Sequence, residues 1–272
     1  MISHPIFIYG TAWKKERTAD LVKMAVGSGF TAIDTANQPK HYQEALVGDA
    51  LAALAADGTS RGSLFLQTKF TPLNGQDHRI PYDPRADLTT QVQQSFESSL
   101  EHLRTDYLDS YLLHGPYNFP HLGREDWQVW SAIEEIYRSG RARVIGISNV
   151  NLAQLETLVA KAAVRPMVVQ NRCFANTGWD RAIRATCREH GIVYQGFSLL
   201  TANREVLRRP EIAAVASTLG VCPEQVIFRF AIEAGIVPLT GTTSERHMLE
   251  DLRVREIALT PEQVSRIETI AG

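Results

Sequence analysis

The chain has 272 residues, 44% of them apolar and 21% charged, with a formal net charge of −2. That composition predicts a soluble globular protein with one large core or two small ones. The near-neutral balance, without a run of like charges, provides no electrostatic footprint for nucleic acid or an anionic membrane, so neither is expected as a partner.

The amino-terminal segment Met1 to Tyr9 lacks a basic stretch followed by a sustained apolar run, and nowhere are there ~18 consecutive apolar residues, so neither export nor membrane insertion is expected. Short apolar runs then alternate with longer segments of period near 3.6, the pattern of repeated βα units. Strands are predicted at Ile6 to Tyr9, Thr31 to Asp34, Leu64 to Lys69, Tyr107 to His114, Val144 to Ser148, Met167 to Gln170, Ile192 to Phe197 and Ile236 to Leu239. Helices are predicted at Arg17 to Ser28, Tyr42 to Ala56, Leu88 to Leu103, Glu125 to Ser139, Leu152 to Ala162, Trp179 to His190, Pro223 to Ala234 and Ser244 to Leu252. A last helix, Pro261 to Ile270, falls outside the repeat.

Eight βα units without a Pro-, Gly- or Ser-rich linker predict a single-domain (β/α)8 TIM barrel over residues 1–272, with a doubly wound open sheet as the alternative. The longest connections, 70–87, 115–124 and 199–208, each follow the carboxyl end of a strand, which is the functional face of such a barrel. Cys173, Cys187 and Cys222 form an odd set without CxxC spacing. They read as free thiols of a cytoplasmic protein, and no residues show metal-ligand spacing.

Asp34, Lys69 and His114 each close an otherwise apolar run. A polar group left unpaired inside a buried strand costs roughly 2 to 7 kcal/mol, so such residues belong where strands open into a cleft. Singly, Asp34 reads as a capping or turn aspartate, Lys69 as a solvated lysine and His114 as a hydrogen-bonded core histidine. Their repetition at three successive strand ends points to one catalytic face.

Together with these residues, Gly10-Thr-Ala-Trp13, Ile33-Asp-Thr-Ala36, Tyr42-Gln-Glu44 with Val47-Gly48, Leu112-Leu-His-Gly-Pro116, Ile145-Gly-Ile-Ser-Asn149, Val169-Gln170, Gly196-Phe-Ser-Leu-Leu200 and Pro238 to Asp251 resemble the aldo-keto reductase superfamily, in its order and approximate spacing. The resemblance implies an NAD(P)H-dependent reduction of a small-molecule aldehyde or ketone, with Asp34, Tyr42, Lys69 and His114 as the catalytic tetrad. The residue types suit that chemistry. Hydride addition builds charge on the carbonyl oxygen, and a tyrosine beside a lysine ammonium can donate the proton if its pKa of ~10 is lowered. Asp34 would hold Lys69 charged and His114 would orient the carbonyl.

The family commonly places its tyrosine five residues after the aspartate, a position held here by Pro39, whereas Tyr42 lies eight beyond Asp34. Asn37 to His41 therefore reads as a lengthened loop. Tyr42 could also simply pack at a helix start, or His41 or Lys40 could share the donor role.

For the cofactor, NADPH with NADH possible, the resemblance implies contacts from Thr11 and from Ser148, Asn149 and Gln170 to the nicotinamide amide. It further implies Phe197 stacked on the ring and Ser198 and Leu200 near the pyrophosphate. Ser148-Asn149 could instead cap the helix from Leu152, Phe197 could be core packing and Gln170 a satisfied barrel residue. At the adenosine end Gly241, Thr242, His247, Glu250 and Asp251 stand where NADPH-preferring members commonly carry Lys, Ser, Arg, Glu and Asn. Arg246 could substitute for the lost charge, or share an exposed helical face with His247.

Gly115 stands where the family often has Trp, and the chain ends soon after its last helix, so an open substrate site is expected. Trp13, Tyr82, Tyr117, Phe119 and Trp127 are its candidate wall residues. Gly27-Ser-Gly-Phe-Thr-Ala32 matches G-x-G-x-x-A, but it ends a helix and enters a strand, the reverse of a dinucleotide fingerprint. HExxH, GxSxG and Walker A patterns are absent. A monomer or weak homo-oligomer is expected. Two other readings stay open at this level: a barrel that binds dinucleotide as a sensor or partner subunit without turnover, and a Schiff-base lyase using Lys69.

Overall fold

The computed structural model describes residues 4–271; part of the segment read for an export signal, residues 1–3, lies outside the described residues. Eight parallel strands close into a barrel in chain order: β1 Ile8–Gly10, β2 Ala32–Asp34, β3 Phe65–Phe70, β4 Ser110–Leu113, β5 Ile145–Ser148, β6 Val168–Arg172, β7 Val193–Phe197 and β8 Ile236–Thr240. β8 pairs with β1 through Ile8 opposite Leu239, so no sheet edge remains. The helices are α1 Thr18–Gly27, α2 Glu44–Ala56, α3 Leu88–Leu103, α4 Arg124–Arg138, α5 Leu152–Lys161, α6 Arg181–Glu189, α7 Arg204–Leu207, α8 Pro210–Leu219, α9 Pro223–Glu233, α10 Glu245–Arg253 and α11 Pro261–Glu268.

Period-2 alternation divides each strand between two environments. One set of side chains joins the main core between sheet and helices, built around Phe30, Phe96, Trp130, Trp179, Phe228 and Phe230. The other set faces the barrel interior, where Ile8, Ala32 and Leu239 form one apolar cluster and Leu112, Val144 and Val168 another. In the same inward series, nearer the carboxyl ends, the residues become polar: Asp34, Gln67, Lys69, Gln170 and Gln195 are all buried. The register sets Asp34 beside Gln67 and Gln170 beside Gln195, so their side chains meet.

Several boundaries differ from expectation. β1 runs to Gly10 and leaves Ile6 48% exposed. β4 starts at Ser110, because Leu108 makes only an isolated bridge to Ala142. α2 starts at Glu44, two residues after Tyr42, and α6 starts at Arg181, because Trp179 and Asp180 both adopt the left-handed conformation. The stretch 204–219, read without a helix, contains α7 and α8. Gly27 closes α1 ahead of β2, so that glycine pair marks a helix end, as its context indicated.

Glycine is obligatory at one point of helix packing. A Cβ on Gly48 would lie 1.9 Å from the His102 carbonyl oxygen, so only glycine lets α2 settle against the end of α3. Glu44, at the first turn of α2, accepts Thr68 Oγ1 and bonds His102 Nδ1 at 3.1 Å. The Glu44 to Gly48 spacing thus anchors α2 to both β3 and α3. No single described helix is long and apolar enough to cross a membrane.

Candidate active site

The carboxyl ends of the strands open into a cleft of about 1100 Å³ that runs from Tyr42 and His114 past Ser148, Gln170 and Phe197 to Gly241, Glu250 and Asp251. Three non-glycine residues on its lining, Trp13, Asn149 and Ser198, adopt left-handed backbone angles with φ of 63°, 55° and 57°. Such conformations cost energy and concentrate at functional sites.

At the base of this cleft Lys69 is fully buried, and its ammonium donates to both oxygens of Asp34, at 2.6 and 2.7 Å, and to the Thr35 carbonyl at 2.8 Å. All three N–H groups are thereby committed. Asp34 Oδ1 also accepts Gln67 Nε2 at 2.7 Å and Gln170 Nε2 at 3.1 Å. Gln195 closes the network through bonds of 2.8 Å from Gln67 and 2.9 Å from Gln170. Gln67 and Gln195 were missed from the sequence. Their signal was present: Gln67 lies two residues before Lys69, on the same face of β3.

Although it lies eight residues beyond Asp34 in the chain, Tyr42 stands beside Lys69 and His114. Its ring lies 5.5 Å from Lys69 Nζ and 6.0 Å from the His114 ring, edge to face. The expected lowering of its pKa is not what the site produces. Burial, followed by the Asp34 charge, holds the phenol well above its ordinary range. The reason is visible in the Lys69 bonds, because the ammonium's charge is matched by Asp34 and none of its N–H groups is left for the phenol. Burial also pushes Lys69 down, against the pull of Asp34. Tyr42 therefore keeps its proton at neutral pH.

His114 Nδ1 lies 2.7 Å from Thr71 Oγ1. Burial first, then the charges of Lys69 and His41, push its pKa down to about 3, so the ring is neutral at physiological pH. His41 lines the same wall, stacked under Trp13 with ring centroids 4.0 Å apart.

Along the cleft, Ser148 is buried and Asn149 Nδ2 donates to the His114 carbonyl at 2.8 Å. Neither caps α5. Asn151 does, accepting Gln154 N at 2.9 Å. Gln170 uses its amide nitrogen in the barrel network, while its Oε1 has no partner among the described residues. Phe197, Ser198 and Leu200 line the middle of the cleft, as does Arg172, which was not anticipated. Thr11, by contrast, does not line it: its amide and hydroxyl both bond the Asp34 carbonyl at 3.0 Å, tying β1 to β2.

At the far end Gly241, Thr242, Arg246, His247, Glu250 and Asp251 all line the cleft, together with Glu224. Arg246 lies 3.6 Å from Glu250 and 3.0 Å from His247 Nε2. Lys14, also missed from the sequence, reaches over from the β1–α1 loop to donate to the Gly241 carbonyl. Burial, together with the charges of Glu250 and Glu224, raises the Asp251 carboxyl to about 7.

Of the expected wall residues only Trp13 lines the cleft, and it is 66% exposed. Tyr82 stands behind the wall, donating to the Thr71 carbonyl at 2.8 Å and packed on Phe70. Tyr117 and Trp127 pack against the main core, and Phe119 projects from the β4–α4 loop with 83% exposure, away from the lining. These aromatics sit on or near loops, whose paths composition does not encode.

Residues 7–271 match the aldo/keto reductase family. The chain is 30% identical over 250 residues to an uncharacterized oxidoreductase, YtbE, of Bacillus subtilis (strain 168), covering 92% of this chain and 82% of that one. It is 28% identical to a glyoxal reductase of the same organism, with the same coverage. A crystal structure of an aldo/keto reductase from Brucella melitensis superposes with a TM-score of 0.82 at 25% identity, covering 98% of this chain and 95% of that one. With the match spanning nearly its whole length, the chain belongs to the aldo/keto reductase family, and its barrel is that of an oxidoreductase.

Proposed function

We propose that this protein reduces an aldehyde or ketone to an alcohol with a nicotinamide dinucleotide, and that Tyr42 gives the carbonyl oxygen its proton. The observation that carries the reading is the placement of the Tyr42 ring 5.5 Å from Lys69 Nζ and 6.0 Å from the His114 ring, where the cleft meets the barrel. The bound dinucleotide supplies the hydride. A substrate oxygen held by Tyr42 Oη and by His114 Nε2, with Thr71 donating to Nδ1, gains stabilisation as its charge develops. Lys69, backed by Asp34, sets the local field from beneath the phenol.

The residues present fit a dinucleotide. Ser148, Asn149 and the free Oε1 of Gln170 suit a carboxamide, the partly exposed Phe197 ring suits stacking, and Ser198 and Leu200 border the middle section. The adenosine end is less favourable to a 2′-phosphate than one bearing the Lys and Arg pair, because the acidic side chains of Glu224 and Glu250 line it. Lys14 and Arg246 moderate that field, but each is engaged, with Gly241 and with Glu250 and His247 respectively. NADPH and NADH are thus both accepted, with a weaker preference for NADPH than in members bearing the Lys and Arg pair. A Schiff-base role for Lys69 is disfavoured, since its ammonium is fully engaged and does not line the cleft. Free Cys173, Cys187 and Cys222 suit a cytoplasmic setting, and we read the protein as a monomer or weak homo-oligomer.

Fluorescence titration with each dinucleotide, followed by turnover of a small aldehyde panel, tests the reading. Dissociation constants within about tenfold of each other are expected, since each lost charge-assisted bond to phosphate removes roughly 1.5 to 3 kcal/mol. Binding without turnover of any aldehyde or ketone would leave a dinucleotide-binding barrel and reject the reductase.

A further inference from the structure

Two imidazoles of the cleft are each held through Nδ1. From the segment after β3, Thr71 Oγ1 lies 2.7 Å from His114 Nδ1, and the Gly75 carbonyl accepts Gln38 Nε2 at 2.7 Å. That second bond orients the Gln38 amide, so its Oε1 is the atom facing His41 Nδ1 at 2.8 Å. An amide oxygen only accepts, so Nδ1 of His41 carries the proton and Nε2 of the neutral ring is an acceptor. Nε2 has no partner among the described residues, and His41 lines the cleft.

The ring is held in place from two more directions. Trp13 stacks on it, and the Trp13 amide donates to the His41 carbonyl at 2.7 Å. Gly75 belongs to the same clamp, because a Cβ there would lie 2.8 Å from Thr71 Cγ2 and 3.6 Å from Gln38 Nε2. Burial, and then the adjacent Lys40, keep the imidazole below its usual pKa, with Asp77 pulling the other way. The neutral acceptor form therefore prevails at neutral pH.

We propose that His41 is a specificity-determining residue whose Nε2 accepts a hydrogen bond from a hydroxyl on the carbon next to the reacting carbonyl, so that the cleft selects 2-hydroxy aldehydes and ketones over their deoxy counterparts. The inference rests on the reading of Tyr42 and His114 as the groups that hold the carbonyl oxygen. His41 directly precedes Tyr42 in the chain and lines the same cleft as Tyr42 and His114, which puts the acceptor on the wall of the pocket that holds that oxygen. The lengthened loop that displaces Tyr42 in sequence is the segment that brings Gln38 and His41 to this wall. An acceptor covered by a substrate without a hydroxyl is left unpaired, which is the usual source of selectivity for a polar group.

The test compares glycolaldehyde with acetaldehyde, and lactaldehyde with propionaldehyde, in the wild type, His41→Phe and His41→Gln. Phenylalanine keeps a ring under Trp13 but has no acceptor, whereas glutamine restores an amide oxygen. The wild type should favour the hydroxylated member of each pair in kcat/KM. In His41→Phe that preference ratio should fall about five- to tenfold, the scale of one ordinary hydrogen bond, and His41→Gln should recover part of it. An unchanged ratio in both variants, or no preference in the wild type, overturns the proposal. An equal collapse with all four aldehydes assigns His41 to proton transfer and also overturns it. No turnover of any aldehyde by the wild type would instead remove the reductase reading beneath it.

Discussion

Asp34 and Asp109 are both nearly buried, at 3% and 5% exposure, and both face cations, but they lie at opposite ends of the barrel. Asp109, just before β4, accepts Arg61 at 2.8 Å, Arg143 at 3.1 Å and the Leu66 amide at 3.0 Å. Both guanidiniums also stack on Tyr107, at 4.2 and 4.0 Å. The Asp109 carboxylate has both oxygens bonded inside the protein, and neither it nor Arg61, Arg143 or Tyr107 lines the cleft at the other end. Asp34 instead ends a chain of contacts that stops short: Tyr42, His41 Nε2 and Gln170 Oε1 face open space at the cleft. The two ends show that burial of charge alone marks no active site. What marks one is a set of bonds completed on the protein side and left incomplete on the other.

The largest break in that comparison should come from Lys69→Met. It leaves the Asp34 carboxylate buried without its cation and removes the field beneath Tyr42, so turnover should fall by about 10²-fold or more while dinucleotide affinity stays within several-fold. Steady-state kinetics beside a fluorescence titration checks this, and near-normal kcat would remove Lys69 from the mechanism. At the opposite end Asp109→Asn should do the reverse, lowering unfolding free energy by about 2 to 4 kcal/mol in a urea titration with kcat held within about twofold. A comparable loss of activity would mean that the lower cluster also shapes the site.

How much of this was legible in the sequence follows from which side-chain properties alternate with period 2. Asp34, Lys69 and His114 stood out as polar residues at strand ends, Gln170 entered only through the family resemblance, and the barrel followed from the βα repeat. Gln67 and Gln195 were passed over because each sits inside a strand, where its neighbours look like ordinary core. The pair α7 and α8 was missed although Pro210 begins α8 and Gly220 caps it with φ of 66°, the usual punctuation of a helix. The displacement of Tyr42 in sequence was visible, but its place 5.5 Å from Lys69 Nζ was not, since only the path of the loop brings the ring there. That Tyr82 and Phe119 stand off the cleft wall was beyond reach for the same reason.

A smaller effect should separate the adenosine end from both clusters. Burial raises the Asp251 carboxyl from its ordinary value of 3.8 to about 7, so the folded state favours the protonated form. The associated stability is fully present below about pH 4 and is lost as pH rises toward 7. Asp251→Asn should therefore stabilise the protein by a few kcal/mol at most at pH 8, at about 1.4 kcal/mol for each pH unit between the unfolded and folded pKa values, and by little at pH 4. Thermal unfolding of both proteins across that range measures it. A difference that does not vary with pH would show that Asp251 stays ionised in the fold.

Tyr42 is proposed to give the proton despite its position eight residues after Asp34. Single-turnover hydride transfer, followed by loss of reduced-nicotinamide absorbance, compares Tyr42→Phe with His41→Ala most directly. A loss of about 10²-fold or more is expected for Tyr42→Phe, with dinucleotide binding preserved, and a loss of less than about tenfold for His41→Ala. Normal hydride transfer in Tyr42→Phe with none in His41→Ala would contradict that role and move the proton to the histidine.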